Sequence, residues 1–209
     1  MVTVPMSLFL DFVLAIGRPK VTAVTTWKTG HADNDFYLQL KTALRRMHST
    51  GASVASLSSF IEKLSDPRRK RIYPRLVTAY GKWVAKMAPA TMLRAIPHPL
   101  AWFGNASMSV LVNPEVAFLS PTTGGHVYVK LYLRSEPLTK QRVDLTLELM
   151  RLAYQDPRAG VGPRERLPTP AVLDVRNRKL HLHDGLGSNA LSLLLHGELA
   201  SFTTIDRKM

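Results

Sequence analysis

From Phe36 to Met87 the apolar residues return every three or four positions, and from Ser107 to Leu133 they return every second one. A helix gathers positions i, i+3 and i+4 on one face, whereas a strand sends successive side chains to opposite faces. A change of period inside one chain therefore demands helices first and a sheet after them. Phe36, Leu40, Ala43, Leu44 and Met47 share one helix face, after the capping-type run "HADND" and before a stop at Gly51. Val54, Leu57, Phe60, Ile61 and Leu64 share a second, which ends at "SDP". The third helix runs through "RIYPRLVTAYGKWVAKM" and buries Leu76, Tyr80, Trp83 and Met87. Pro74 either opens it at its first turn or kinks it.

Beyond "PHPLAWFGN" the segments "SMSVLV", "EVAFL" and "HVYVKLYL" are rich in β-branched and aromatic residues and read as three strands. "LTKQRVDLTLELMRLAY" returns to a helix with Val143, Leu145, Leu147, Leu149, Met150 and Leu152 on a broad apolar face. A Pro/Gly/Arg connector, "QDPRAGVGPRERLPTP", leads to a hairpin of "AVLDV" and "LHLH". "NALSLLLHGEL" reads as a short last helix, and "SFTTIDRKM" as a possible edge strand. The expected class is α+β: a helical lobe over residues 1–104, then a small mixed β-sheet flanked by helices over 105–209.

The 209 residues suffice for one good core, or for a helical lobe beside a mixed domain, and the 45% hydrophobic and 21% charged fractions are those of a folded chain. There is no cysteine, which excludes disulfides, thiolate zinc sites, iron–sulfur clusters and a cysteine nucleophile. The apolar run "MSLFLDFVLAIG" carries Asp11 and is far shorter than the ~20 residues that cross a bilayer. It reads as a buried first helix, or as an apolar element that docks a protein partner. Membrane contact is not expected, and the expected location is the cytoplasm.

Charge narrows the partner: 28 Lys and Arg against 15 Asp and Glu give +13, the balance of a polyanion-binding chain. Between residues 66 and 94 eight cations, Arg68, Arg69, Lys70, Arg71, Arg75, Lys82, Lys86 and Arg94, face Asp66 alone. At about 100° per residue, Arg68, Arg71, Arg75, Lys82 and Lys86 fall within an arc of roughly 60° on the third helix. Solvated helix faces usually mix both signs, and this one hardly does. A one-sign rail of this kind suits phosphate-backbone contact.

The stretch "VNPEVAFLSPTTGGHVYVKLYL", Val112–Leu133, places Pro114-Glu115 ahead of a strand containing Tyr128-Val129-Lys130. With the element order helix, three strands, helix, strand between about Tyr80 and His183, the C-terminal half resembles the PD-(D/E)XK nuclease superfamily, with its core order αβββαβ. In that family two acids hold Mg2+ and a lysine orients the attacking water. The resemblance implies Glu115 as the first acid and Lys130 as the lysine. The second acid is replaced by Tyr128, whose phenol is a poor Mg2+ ligand. Alternation puts Val127, Val129, Leu131 and Leu133 toward a core, and His126, Tyr128, Lys130 and Tyr132 on a polar face. There Tyr128 and Tyr132 beside Lys130 are candidates to stack on unpaired bases. Trp102 and Phe103 are further aromatic candidates, whereas Trp83 belongs to the core by its helix face.

Asp144 and Glu148 are the candidates for an acid moved to the next helix, but they align with Lys140, Arg151 and Gln155 as a solvent stripe with Lys140–Asp144 and Glu148–Arg151 pairs. His181 and His183, with Asp184 adjoining, form no characteristic metal-ligand spacing. Asp174 is expected to bind Arg176 or a turn amide. "GLGS" lacks the context of a dinucleotide loop.

Three functions follow as expectations. The first is a non-catalytic nucleic-acid-binding protein that uses the basic helix together with Lys130, Tyr128 and Tyr132. The second is a nuclease using Glu115, Lys130 and an unidentified acid. The third is an assembly subunit that meets an acidic protein or membrane surface. No cofactor is expected, and Mg2+ only for the nuclease.

Overall fold

The structure, a computed structural model, describes residues 2–30, 35–87, 100–120, 124–156, 158 and 167–208. The chain is α+β, as its change of period requires. Its strands, however, fall into two sheets. In the first, β1 (Val2–Pro5) runs parallel to β3 (Met108–Val112), and β2 (Ala101–Gly104) lies antiparallel on the other side of β3. In the second, the order is β4 (Val116–Leu119), β5 (His126–Tyr132), β6 (Thr169–Asp174) and β7 (Lys179–Leu182). The β5–β6 pair is parallel, and the pairs on either side of it are antiparallel. The first of the three expected strands thus pairs away from the other two, and β1 and β2, which periodicity did not mark as strands, bring the number before the crossover helix to five.

That crossover helix, α6 (Lys140–Gln155), joins the parallel strands and packs on both sheets. Thr139 caps it by accepting from the Arg142 amide at 3.2 Å. Its Leu145, Leu149, Met150, Ala153 and Tyr154 enter a core with β1, β2, β3, α1 (Met6–Leu14) and α7 (Asn189–Lys208). The opposite face of the second sheet is covered by α3 (Leu38–Thr50), α4 (Leu57–Glu62) and α5 (Pro67–Met87). The second sheet is therefore buried on both faces.

One expectation about organisation changes. The division at residue 104 does not follow the packing, because β2 and β3 form one hairpin across it and β1 pairs with β3. Gly104 sits so close to the facing strand that a Cβ there would lie 2.2 Å from the Met108 carbonyl oxygen. A short nine-residue helix that is apolar on most sides must be covered, and α1 is, through Met6, Phe9, Leu10, Phe12 and Val13. Leu8 and Leu14 of the same helix are only partly buried.

The tail is helical rather than extended. Leu195, Leu199 and Phe202 align at helical spacing and are buried, with the Phe202 ring 4.9 Å from Phe12 and 5.6 Å from Trp27. Thr203 and Thr204, which suggested a strand, donate their hydroxyls to the carbonyls four residues earlier. An unexpected helix, α2 (Arg18–Lys28), shows the same back-bonding at Thr22 and Thr25 and buries only Val24, which left no apolar period to read. No helix among the described residues is long and apolar enough to cross a membrane.

Candidate functional site

The third helix of the sequence begins earlier than Pro74. Asp66 stands before Pro67 and accepts from the Arg68 amide at 2.8 Å, so it caps the helix while Pro67 occupies a first-turn position where no N–H is needed. Pro74 lies inside the helix. The run Arg68, Arg69, Lys70 and Arg71 is thus helical, and the rail is continuous from Arg68 to Lys86, roughly 27 Å at 1.5 Å per residue. Tyr73, Leu76, Tyr80 and Trp83 hold the inner face in the core, so Trp83 is not a stacking surface. Arg68, Lys70, Arg71, Arg75, Lys82 and Lys86 are all exposed. Among the described residues none of these six has an acidic partner. Arg69 is half-buried and lies 3.5 Å from Asp66. Arg68 and Arg69 both cover the Phe36 ring, at 4.9 and 5.4 Å. Arg94 lies outside the described residues.

Glu115 and Lys130 do meet, at 2.6 Å. Glu115 stands just before β4, and its other oxygen accepts from the Leu131 amide at 2.9 Å, two residues past the last ladder pair Val116↔Val129. Lys130 also donates to the Asn113 carbonyl at 2.9 Å. Lys41 of α3 and Arg45 complete a ring of cations at 3.8 and 3.9 Å from the carboxylate. Burial alone would raise the Glu115 carboxyl, but Lys130, Lys41 and the hydrogen bonds outweigh it and hold the group below the usual carboxylate range. Burial likewise pulls the Lys130 ammonium below the usual lysine value against the attraction of Glu115.

This arrangement does not fit a Mg2+ site. Both Glu115 oxygens are committed, and Tyr128, at the second-acid position, is 4% exposed with its ring 4.9 Å from Tyr154 in the core beneath α6. Among the described residues no group of three or more His, Asp or Glu side chains is placed to hold a metal ion. The expectation that Tyr128 lies on an open polar face is overturned for the same reason: α6 covers that face, so Tyr128 cannot stack on a base. Tyr132 is half-buried and donates its hydroxyl to the Glu136 carbonyl at 3.0 Å. Trp102 is half-buried in β2, and Phe103 is buried against Phe9 and His196.

Lys130 and Tyr132 border a cleft of about 360 Å³ between α1, the start of α3, the end of β5 and the first turn of α6. Its cations are Lys41, Arg68, Lys130, Arg134 and Arg142, and its acids Asp11, Asp35 and Glu136. Asp11 takes both Arg134 nitrogens, at 2.9 and 2.6 Å, and also binds Arg142. Asp35 holds Lys41 at 2.7 Å; burial raises its carboxyl, and Lys41 more than reverses this, leaving it below the usual range. Arg134 and Arg142 escaped the sequence reading. The signal available was Asp11 itself, since a lone carboxylate in an apolar helix needs cationic partners.

Glu148 is not on a solvent stripe. It is 1% exposed and accepts from Arg151 at 2.7 and 2.9 Å and from Ser192 of α7 at 2.5 Å, with His183 3.6 Å away. Burial raises its carboxyl, and these hydrogen bonds bring it down to about 2. Asp144 does pair with Lys140 at the surface. Asp174 binds the turn, accepting from the Asn177 amide and side chain at 3.1 and 2.8 Å, while Arg176 turns to the Arg134 carbonyl. The chain matches no protein-family model and no curated protein.

Proposed function

We propose that the protein is a non-catalytic nucleic-acid-binding protein of the cytoplasm, which lays the α5 rail along a sugar-phosphate backbone. One observation carries this reading. Four cations, Arg68, Arg69, Lys70 and Arg71, occupy the start of α5, and no acid stands in its first turn. Asp66 caps the amino end and lies near Arg69, but Arg68, Lys70 and Arg71 stand exposed with no acidic side-chain partner among the described residues, and Arg75, Lys82 and Lys86 extend this one-sign surface, which suits phosphate contact. Glu115 and Lys130 are read as the remnant of a nuclease-like pair, whose ion pair holds β5 to the start of β4.

The test is fluorescence anisotropy on single- and double-stranded DNA and RNA across a salt series, with Mg2+ present and absent and the products run on a gel. Affinity is expected to fall steeply with salt, and Arg75→Glu, Lys82→Glu and Lys86→Glu together to abolish binding while circular dichroism is unchanged. Retained binding with an unchanged salt slope in the triple variant removes the rail from the account. A wild type that binds no polyanion favours the assembly-subunit reading. Cleavage that Glu115→Ala abolishes establishes a nuclease instead.

A further inference from the structure

We infer that the cleft between α1, α3 and the first turn of α6 binds the phosphate monoester of a nucleotide, received from a strand end at the start of the rail or as a free mononucleotide. The charge count matches the ligand. Five cations and three acids border the cleft, an excess of two; adding Glu115 and Arg45 just behind Lys130 leaves the excess at two. A phosphate monoester carries about −1.5 to −2 near neutral pH, whereas each internal phosphodiester of a strand carries one charge.

The cations are also held in place before any ligand arrives. Asp11 grips Arg134 and Arg142 together, Asp35 grips Lys41, and Glu115 grips Lys130. Little side-chain freedom remains to be lost on binding, which is the usual penalty for recognition by long cationic chains. Donors nevertheless remain. Arg142 meets Asp11 through Nη2, and Asp35 is the one hydrogen-bond acceptor of the Lys41 ammonium among the described residues. Guanidinium groups with unused N–H pairs suit the bidentate geometry of phosphate oxygens. The volume, about 360 Å³, is that of a small-ligand site, and Phe36, Tyr37 and Tyr132 supply its aromatic wall.

The link to the rail is Arg68, which stands at the start of α5 and also borders the cleft. The strand-end source rests on the nucleic-acid reading; binding of a free mononucleotide does not. Calorimetry with adenosine 5′-monophosphate against adenosine measures the monoester increment, expected to be at least about tenfold. Anisotropy with 5′-phosphorylated against 5′-hydroxyl single-stranded DNA measures the strand end. Arg142→Gln is expected to remove most of the increment, and the exposed Arg68→Gln part of it, the second serving if loss of the Asp11 clamp unfolds the first. Monophosphate binding that survives the rail triple variant, in which DNA binding is lost, supports the cleft independently of the rail. An increment for the mononucleotide alone, or for the strand end alone, upholds the site with that source. Equal binding of monophosphate and adenosine together with equal binding of both oligonucleotides overturns it, as does an increment that folded Arg142→Gln and Arg68→Gln both leave intact.

Discussion

The helix α5 and the strand β5 carry similar signals in the sequence, cationic side chains close to aromatic ones, and end in opposite environments. On α5 the cations Arg71, Arg75, Lys82 and Lys86 stand in solvent, and among the described residues no acid pairs with them. On β5, Lys130 is enclosed against Glu115 and Tyr128 lies in the core under α6. A helix at the outside of a layer keeps one face open. A strand second in a four-stranded sheet, with α3–α5 on one side and α6 on the other, has its middle buried, and Lys130 and Tyr132 reach the cleft near its end. The contrast separates charge that is available to a ligand from charge that is consumed in holding the fold, and substitutions on the two elements should differ accordingly.

The largest effect is expected from Tyr128→Asp, which restores the nuclease-like pair of acids on paper. In this fold it places a carboxylate in an aromatic core and loses the Tyr154 contact, costing roughly 5 kcal/mol. Urea unfolding should show a collapsed or barely folded protein; a stable variant that gains Mg2+-dependent cleavage would put β5 on an open face and erase the contrast. Next comes Glu115→Gln, which leaves Lys130 enclosed without its counter-charge, for about 3–5 kcal/mol. Its urea midpoint at neutral pH measures this.

Glu148 gives a pH signature of the same buried kind. Its carboxyl is held at about 2 in the folded chain, below its ordinary value of 4.5. The folded state therefore favours the ionised form, and the resulting stability is complete above about pH 4.5 and lost as pH falls toward 2. Unfolding midpoints measured from pH 6 down to 2.5 should fall less steeply in Glu148→Gln than in the wild type. The smallest effect belongs to the rail. Arg75→Glu, Lys82→Glu and Lys86→Glu should each change stability by no more than about 0.5 kcal/mol, because these side chains touch solvent. A loss several times larger from any one of them would mean that the rail, like Lys130, is structural.

Much of this molecule was legible before its tertiary structure. Periodicity found α3 through α6, the strands β3 to β5 and the β6–β7 hairpin, and the helical wheel aligned the rail, because each of these is a property of one element read over a few turns or a few residues. Two boundaries moved, the first for a local reason and the second for a tertiary one. Pro67, and not Pro74, takes the first-turn position, since Asp66 precedes it and caps, and α7 runs on through Thr203 because Phe202 needed cover from Phe12 and Trp27.

What periodicity cannot state is which element covers a face. The alternation of β5 correctly sent Val127, Val129 and Leu131 to one core, but it marked the opposite face as polar, and only the placement of α6 decided that Tyr128 is buried. The pairing of β3 with β1, the Glu115–Lys130 contact and the Asp11 clamp on Arg134, 123 residues away, are likewise decided by packing between distant segments. The sequence by itself determined α3 to α6, β3 to β7 and the single sign of the rail, because those follow from spacing and charge within short windows. The tertiary structure alone decided which charges are neutralised and which are left to meet a ligand, because neutralisation depends on a counter-charge brought from far along the chain and on the burial that comes with it.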